Sequence, residues 1–256
     1  MPTAAELYDA ILADPDNVDL RLQYADAVSD TDPDHAELIR LQVEETRMRQ
    51  AGGFAPRGVQ TRIDALTREL GPRLAAPIAS LVDRYELRNG FVDLVRMTAR
   101  GFLENGEAVY RHGPARFLEL TESASRMAEL ATAPLLQRLA SLDFYGNEIG
   151  DAGVVQLAAS PYLDKLAWLG LARCGVGAVG AEALAAAPNF RNLRYVHFAD
   201  NPVELTPRVA ANDWDGTVLE VELPPLGKEL DDRYGPLAWL EPERYARKWM
   251  PDVDEV

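Results

Sequence analysis

Leu139-Ala-Ser141-Leu142-Asp143-Phe144-Tyr145-Gly-Asn147-Glu-Ile149 returns 27 residues later as Leu166-Ala-Trp168-Leu169-Gly-Leu171-Ala-Arg173-Cys174-Gly-Val176. After a further 27 residues it returns as Leu193-Arg-Tyr195-Val196-His197-Phe198-Ala-Asp200-Asn201-Pro-Val203. All three fit L-x-x-L-x-L-x-x-(N/C)-x-L. A pattern held at a fixed period of this length means that one small strand-plus-helix unit is stacked on copies of itself, each covering the apolar side of the next. Within x-L-x-L-x the side chains alternate, so the leucine positions turn inward and the residues between them turn outward.

The period can be followed in both directions. Counting back 27 from Leu139 lands on His112, with Ala115 and Phe117 at the fourth and sixth positions and Leu120 at the ninth, so 112–138 reads as a degenerate first repeat. Residues 88–111 read as a still more degenerate unit before it. After Val203 the pattern ends. Leu219, Val221 and Leu223 alternate, Pro224-Pro225 follows, and Trp239, Tyr245 and Trp249 are too many aromatics for a free tail. The expected role of 204–256 is a C-terminal cap over the last repeat, with Pro251–Val256 frayed.

Upstream, residues 5 to about 51 read as helices broken by Asp14-Pro15-Asp16 and by Ser29–Asp34, with Asp16 or Asn17 as the cap of the second helix. One or two more helices are expected over 59–82, divided near Gly71-Pro72. Arg88-Asn89-Gly90-Phe91 predicts a turn, Val92, Leu94 and Val95 a strand, and Ala99–Tyr110 another helix. The expected architecture is therefore α/β: an N-terminal helical domain (1–87), a short solenoid (88–203) and a cap with tail (204–256).

Placing the repeats in register brings the outward residues into columns about 4.8 Å apart. One column is Ser141, Trp168 and Tyr195. A second is Arg116, Asp143, Gly170 and His197, and a third is Tyr145, Ala172 and Ala199. Glu119, Gly146, Arg173 and Asp200 flank them. Trp168, Tyr195 and Tyr145 are the expected anchors for a partner, with Arg116, Asp143, Arg173, His197 and Asp200 giving polar register. The competing reading of Trp168 and Tyr195 is that the N-terminal helical domain or the C-terminal cap folds over and buries them. Asn147, Cys174 and Asn201 share the ninth position, where a small side chain turns in to bond loop backbone, so Cys174 is expected to be a structural thiol.

Composition narrows the function. The 256-residue chain has 41 acidic against 26 basic residues, a formal net charge of −15, and its positive charge is almost all arginine. That argues against general affinity for nucleic acid or an anionic membrane, both of which depend on dense Lys and Arg. Arg47, Arg49, Arg57, Arg62 and Arg68 are interleaved with acids, as on a solvated helix face. A single cysteine excludes an internal disulfide, and His35, His112 and His197 lack metal-ligand spacing. There is no phosphate-binding glycine loop and no nucleophile elbow. His197 and Asp143 lie two strands apart, about 9–10 Å from strand spacing, too far for a direct catalytic pair. The N-terminus has no cationic and apolar leader, so a cytoplasmic protein is expected.

The repeats resemble the ribonuclease-inhibitor-like class of leucine-rich repeats, and Asn147-Glu-Ile149-Gly-Asp-Ala-Gly153 with Leu157 is similar to that class's N-x-I-x-x-x-G-x-x-x-L stretch. Ile11-Leu-Ala-Asp14-Pro15-Asp, Leu22-Gln-Tyr24-Ala25-Asp26 and Ala36-Glu37-Leu-Ile39-Arg40-Leu41-Gln42 resemble a short bacterial repeat-companion domain that precedes such repeats. Asn89-Gly90-Phe91-Val92 and Pro114–Leu120 are similar to its linker. Ala27-Val28 departs from the family's Trp-Leu, and the array is short. The resemblance implies no enzyme activity, no cofactor and no catalytic residue. The expected function is a non-enzymatic module that binds a protein or peptide on the concave face, with an accessory or scaffold subunit beside a biosynthetic or modifying enzyme as the alternative.

Overall fold

Thr3 opens the first helix with a reciprocal pair: its hydroxyl accepts the Glu6 amide hydrogen, and the Glu6 carboxylate accepts that of Thr3. From this start the computed structural model describes residues 2–205, 207–212 and 218–240, over which the chain is mixed α/β. It divides into two compact units, the first formed by 2–96 and 105–116, the second by 97–104 and 117–240 of the described residues.

In the first unit, α1 (Ala4–Ala13), α2 (Val18–Val28) and α3 (Pro33–Gln50) fall where the sequence predicts helices. Asn17 is the residue that caps α2, its Oδ1 accepting the Leu20 amide hydrogen. Ile11, Ala25, Val28, Ala36, Ile39, Val43 and Phe91 pack into one core, with Tyr8 and Tyr24 against it. The helix α4 (Arg57–Ala75) runs through Gly71-Pro72 where a division was expected. Proline sacrifices one backbone hydrogen bond there, but Leu70 on one side and Ala75 on the other are both buried, and packing outweighs that loss.

β1 (Arg84–Arg88) and β2 (Phe91–Thr98) form an antiparallel hairpin across a two-residue turn. Asn89 and Gly90 both have positive φ, 49° and 83°, the form of turn whose twist suits a hairpin. Gly90 has a second reason to be glycine: a Cβ would lie 2.1 Å from Ile39 Cγ1 on α3. The turn and β2 were expected, whereas β1 was not. The turn and β2, which the sequence reading put at the start of the solenoid, lie mostly in the first unit. Next comes α5 (Ala99–Tyr110), with the expected bounds.

The second unit is built on four parallel strands in the order β3 (Phe117–Thr121), β4 (Ser141–Asp143), β5 (Trp168–Gly170) and β6 (Tyr195–His197). Each parallel step needs a return path, supplied by α6 (Met127–Ala131), α7 (Gly150–Ala158) and α8 (Ala178–Ala186). Leu142, Leu169 and Val196 lie in register, as do Ser141, Trp168 and Tyr195, so the 27-residue offset holds across β4, β5 and β6. Leu142, Phe144, Leu169, Leu171, Val196 and Phe198 are all buried, as the alternation requires.

Across β3 the offset fails. Phe117 pairs with Ser141 and Glu119 with Asp143, a spacing of 24 residues. The reason is the return path: α6 has five residues where α7 and α8 have nine. The inward residues of the first strand are thus Leu118 and Leu120, and Ser123 takes the ninth position.

Helix packing repeats as well. A Cβ on Gly153 would lie 2.8 Å from Ile149 Cβ, and one on Gly180 would lie 2.6 Å from Val176 Cγ1 and 2.7 Å from Asp151 Oδ1. The same Asp151 oxygen accepts the amide hydrogens of Gly177 and Gly180, tying α7 to the first turn of α8.

Beyond β6 come an antiparallel pair, β7 (Arg208–Asn212) and β8 (Val218–Glu222), and α9 (Pro225–Tyr234). Arg233 and Tyr234 of α9 both bond Glu182 of α8, and Trp239 and Leu240 are buried. Tyr245, Trp249 and Pro251–Val256 lie outside the described residues. Among the described residues no helix is long and apolar enough to cross a membrane.

Candidate functional site

The ninth positions hold the strand exits together. Asn147 Oδ1 accepts the Ser123 amide hydrogen at 2.9 Å, while its Nδ2 donates to Leu120 O and Phe144 O. Asn201 does the same two units on, accepting from Cys174 N and Val176 N and donating to Leu171 O and Phe198 O. Between them Cys174 donates its thiol hydrogen to Phe144 O at 3.1 Å. Burial pushes that thiol up to about 12, so it stays protonated and structural, as expected from its position.

One residue before each ninth position, Glu122, Gly146, Arg173 and Asp200 all adopt positive φ, between 55° and 71°. Three of the four are not glycine and accept a conformation that side chains disfavour. Two of these, Arg173 and Asp200, pair with each other at 2.9 Å. The Arg173 guanidinium lies 5.7 Å from the centre of the Tyr145 ring, the exposed aromatic of this face at 48%. Tyr145, Arg173 and Asp200 thus form one surface cluster at the ends of the strands.

Further down the strands, Trp168 corrects the expectation of an exposed anchor. It is 2% exposed, stacked on Tyr195 (6.1 Å between centroids, 16° between planes) and tilted against His197 at 6.5 Å. The space it uses belongs to Gly170. A Cβ there would come within 2.0 Å of Asp143 Oδ1 and 2.6 Å of Trp168 Cη2, so the carboxylate and the indole edge meet over the glycine. Despite its burial, the Trp168 indole nitrogen finds no hydrogen-bond partner among the described residues. The rings packed against it, Tyr195 and His197, belong to the next strand of the same face.

His197 and Asp143 flank Gly170 on the two neighbouring strands, as expected. Burial holds His197 below the usual 6.5, while Asp200 acts in the opposite direction. The Tyr195 phenol is raised by burial. Asp143 Oδ1 accepts the Tyr145 amide hydrogen at 2.9 Å, which turns the carboxylate along the face.

Arg116 is the clear misplacement. It was expected beside Asp143, but Glu119 occupies that position. Arg116 belongs to the first unit, where its guanidinium grips the fully buried Asp93 through two nitrogens and also meets Asp16. Arg21 lies 3.7 Å from the same Asp93 carboxylate. Burial works against an ionised Asp93, yet the two guanidiniums hold it below the usual carboxylate range. The signal for the true register was present as Leu118-x-Leu120-x-x-Ser123, with serine in place of asparagine or cysteine; the fixed offset of 27 hid it.

The site as assembled joins Glu119, Asp143, Trp168, Tyr195 and His197 along the strands, with Tyr145, Arg173 and Asp200 at their ends. No group of acidic, histidine and cysteine side chains among the described residues could hold a metal ion. Comparison with models of known families, with curated proteins and with solved structures finds no match.

Proposed function

We propose that this chain is a non-enzymatic recognition protein. In this reading the second unit is a short leucine-rich-repeat solenoid ending in a C-terminal cap, and it follows a helical repeat-companion domain. Its concave strand face binds a protein or peptide partner in the cytoplasm. The 27-residue register of β4, β5 and β6, the asparagine ladder and the paired Gly153 and Gly180 support the solenoid. The link between α9 and α8 through Glu182 supports the cap.

The observation that carries the binding reading is the surface cluster. Tyr145 is an exposed ring under a guanidinium, and Arg173 and Asp200 pair beside it on turns whose positive φ places both side chains at the surface. Backbone strain kept at a surface, next to an exposed aromatic, is a common mark of a contact site. Tyr145 is therefore the first anchor and Tyr195 the second, with Trp168 packed against Tyr195 as its support and Asp143, Arg173, His197 and Asp200 as polar contacts.

The test is affinity capture from the native lysate with the intact protein and with Tyr145→Ala/Arg173→Ala. These side chains are exposed, so the fold should survive, which circular dichroism checks. A partner captured by the intact protein and lost from the double variant supports the assignment. Equal capture by both sinks it.

A further inference from the structure

The strand entries of the second unit reverse the charge of the chain. Before β4, β5 and β6 the repeat runs Gln137-Arg138-Leu139-Ala140, Asp164-Lys165-Leu166-Ala167 and Arg191-Asn192-Leu193-Arg194. The three leucines are buried, whereas Arg138, Lys165, Arg191 and Arg194 are exposed. Asp164 is the single acid of these segments, in a chain whose formal net charge is −15.

Backbone bonds hold the segments side by side. Ala167 N donates to Ala140 O at 2.9 Å and Arg194 N to Ala167 O at 2.8 Å, which carries the strand register back to these positions. Lys165 therefore lies opposite Asn192, between Arg191 and Arg194, and the Asn192 side chain donates across to Asp164 O. Phe190 and Leu193 are buried on either side of the turn, so Arg191 and Arg194 are carried on an anchored backbone. Adjacent strands run about 4.8 Å apart, which puts the three cations within the span of a few extended residues.

A second observation concerns their partners. Elsewhere Arg62, Arg73, Arg100 and Arg233 each pair with an acid. Among the described residues no hydrogen bond, ion pair or ring contact engages the side chain of Lys165, Arg191 or Arg194. The other members of the Arg194 column, Ala140 and Ala167, have no group that could pair with it. Like charges gathered in this way oppose strand pairing, so they do not serve the sheet.

We propose that the entry edge of β4, β5 and β6 docks an acidic, extended peptide segment of a partner protein. Its carboxylates meet Arg191 and Arg194, whose planar guanidiniums match a carboxylate with two parallel bonds, and the ammonium of Lys165. The negative remainder of the chain repels the same segment, which confines it to this edge. Nucleic acid suits the edge less, because its charge continues past so small a patch into that repulsion. The edge lies at the opposite end of the strands from Tyr145, Arg173 and Asp200, and docking here is independent of recognition there.

Fluorescence anisotropy on the full chain, with labelled alternating Glu–Ala, Ser–Ala and Lys–Ala peptides and a labelled oligothymidylate, tests this. The Glu–Ala peptide, whose carboxylates share one face when extended, should bind best and weaken between about 50 and 300 mM salt. Arg191→Gln/Arg194→Gln should weaken it about tenfold and Lys165→Gln about threefold. Arg57→Gln/Arg68→Gln, the same change of charge at exposed positions of α4, should leave it unchanged. Circular dichroism checks the fold, and the single variants Arg191→Gln and Arg194→Gln give the readout if the double variant does not fold.

Glu–Ala binding that ignores Arg191 and Arg194, or that falls equally in the α4 control, overturns the proposal. So does binding no tighter than that of Ser–Ala or Lys–Ala. Tighter binding of the oligothymidylate, lost in Arg191→Gln/Arg194→Gln, would make the edge a nucleic-acid contact and overturn the acidic-peptide assignment. The capture experiment with Tyr145 and Arg173 decides the other site separately.

Discussion

Gly170 shows how much one missing methyl can decide. Its neighbours in the column, Asp143 and His197, carry side chains of ordinary size, and without a Cβ between them the Trp168 indole folds over the strand. Gly170→Ala would set a methyl 2.0 Å from a carboxylate oxygen and 2.6 Å from the indole. Neither can retreat cheaply, because the ring is stacked on Tyr195 and the carboxylate holds the Tyr145 amide. We expect a loss of about 1–3 kcal/mol, typical of overpacking, measured by urea unfolding. An unchanged midpoint would mean that Trp168 swings out freely and that its burial is incidental. The glycine was visible in the sequence as a gap in a column; that Trp168 fills it was not, since period-two alternation gives the face of a side chain but not where it leans along the strand.

At the scale of elements, charge ties α2, the hairpin and the segment before β3 together within the first unit. Arg21 donates to Pro15 O and approaches Arg88 O and Asn89 O at the hairpin turn, with its guanidinium 5.2 Å from the Phe91 ring centre. Burial lowers it to about 10, which still leaves it charged at neutral pH. Asp93, with no exposed surface, faces both this guanidinium and that of Arg116. Asp93→Asn would remove the charge while keeping the shape, and take from two mostly buried cations the fully buried carboxylate that they share. Breaking such a group from one side costs about 3–5 kcal/mol. Thermal and urea unfolding of Asp93→Asn should show it, and a shift no larger than that of an exposed Asp→Asn change would contradict it. These three residues lie far apart in the chain, and their spacing carries no period, so only folding brings them together.

For the whole molecule, His35 and His197 give stability a common pH dependence. His35 is buried among Tyr24 and Phe91, with its Nε2–H donating to Gly90 O, and burial is the largest influence lowering it from 6.5. His197 is lowered for the same first reason. The unfolded chain takes up both protons as pH falls through about 6.5, while the folded chain resists until lower pH. Stability is therefore complete above that value and declines as pH drops toward the folded-state values. Melting temperature should fall from about pH 7.5 to about pH 5.5, and less steeply in His35→Gln. A flat profile in the intact chain would show that neither histidine is held neutral. Much of the architecture that carries these groups could be read beforehand. The 27-residue period places β4, β5 and β6, their buried leucines and the Asn147–Cys174–Asn201 ladder, because burying one face of a stacked unit forces the same residue types to recur at the same interval. Helix punctuation at Asn17 and the Asn89-Gly90 turn were legible because they are local requirements on backbone donors and on φ. The tertiary structure alone decided the register of β3, since a shortened α6 shifts it by three residues and exchanges Arg116 for Glu119 in the column beside Asp143. It also decided the burial of Trp168 and the Asp93 cluster, because packing and ion pairing depend on distances between elements, and a one-dimensional pattern does not contain them.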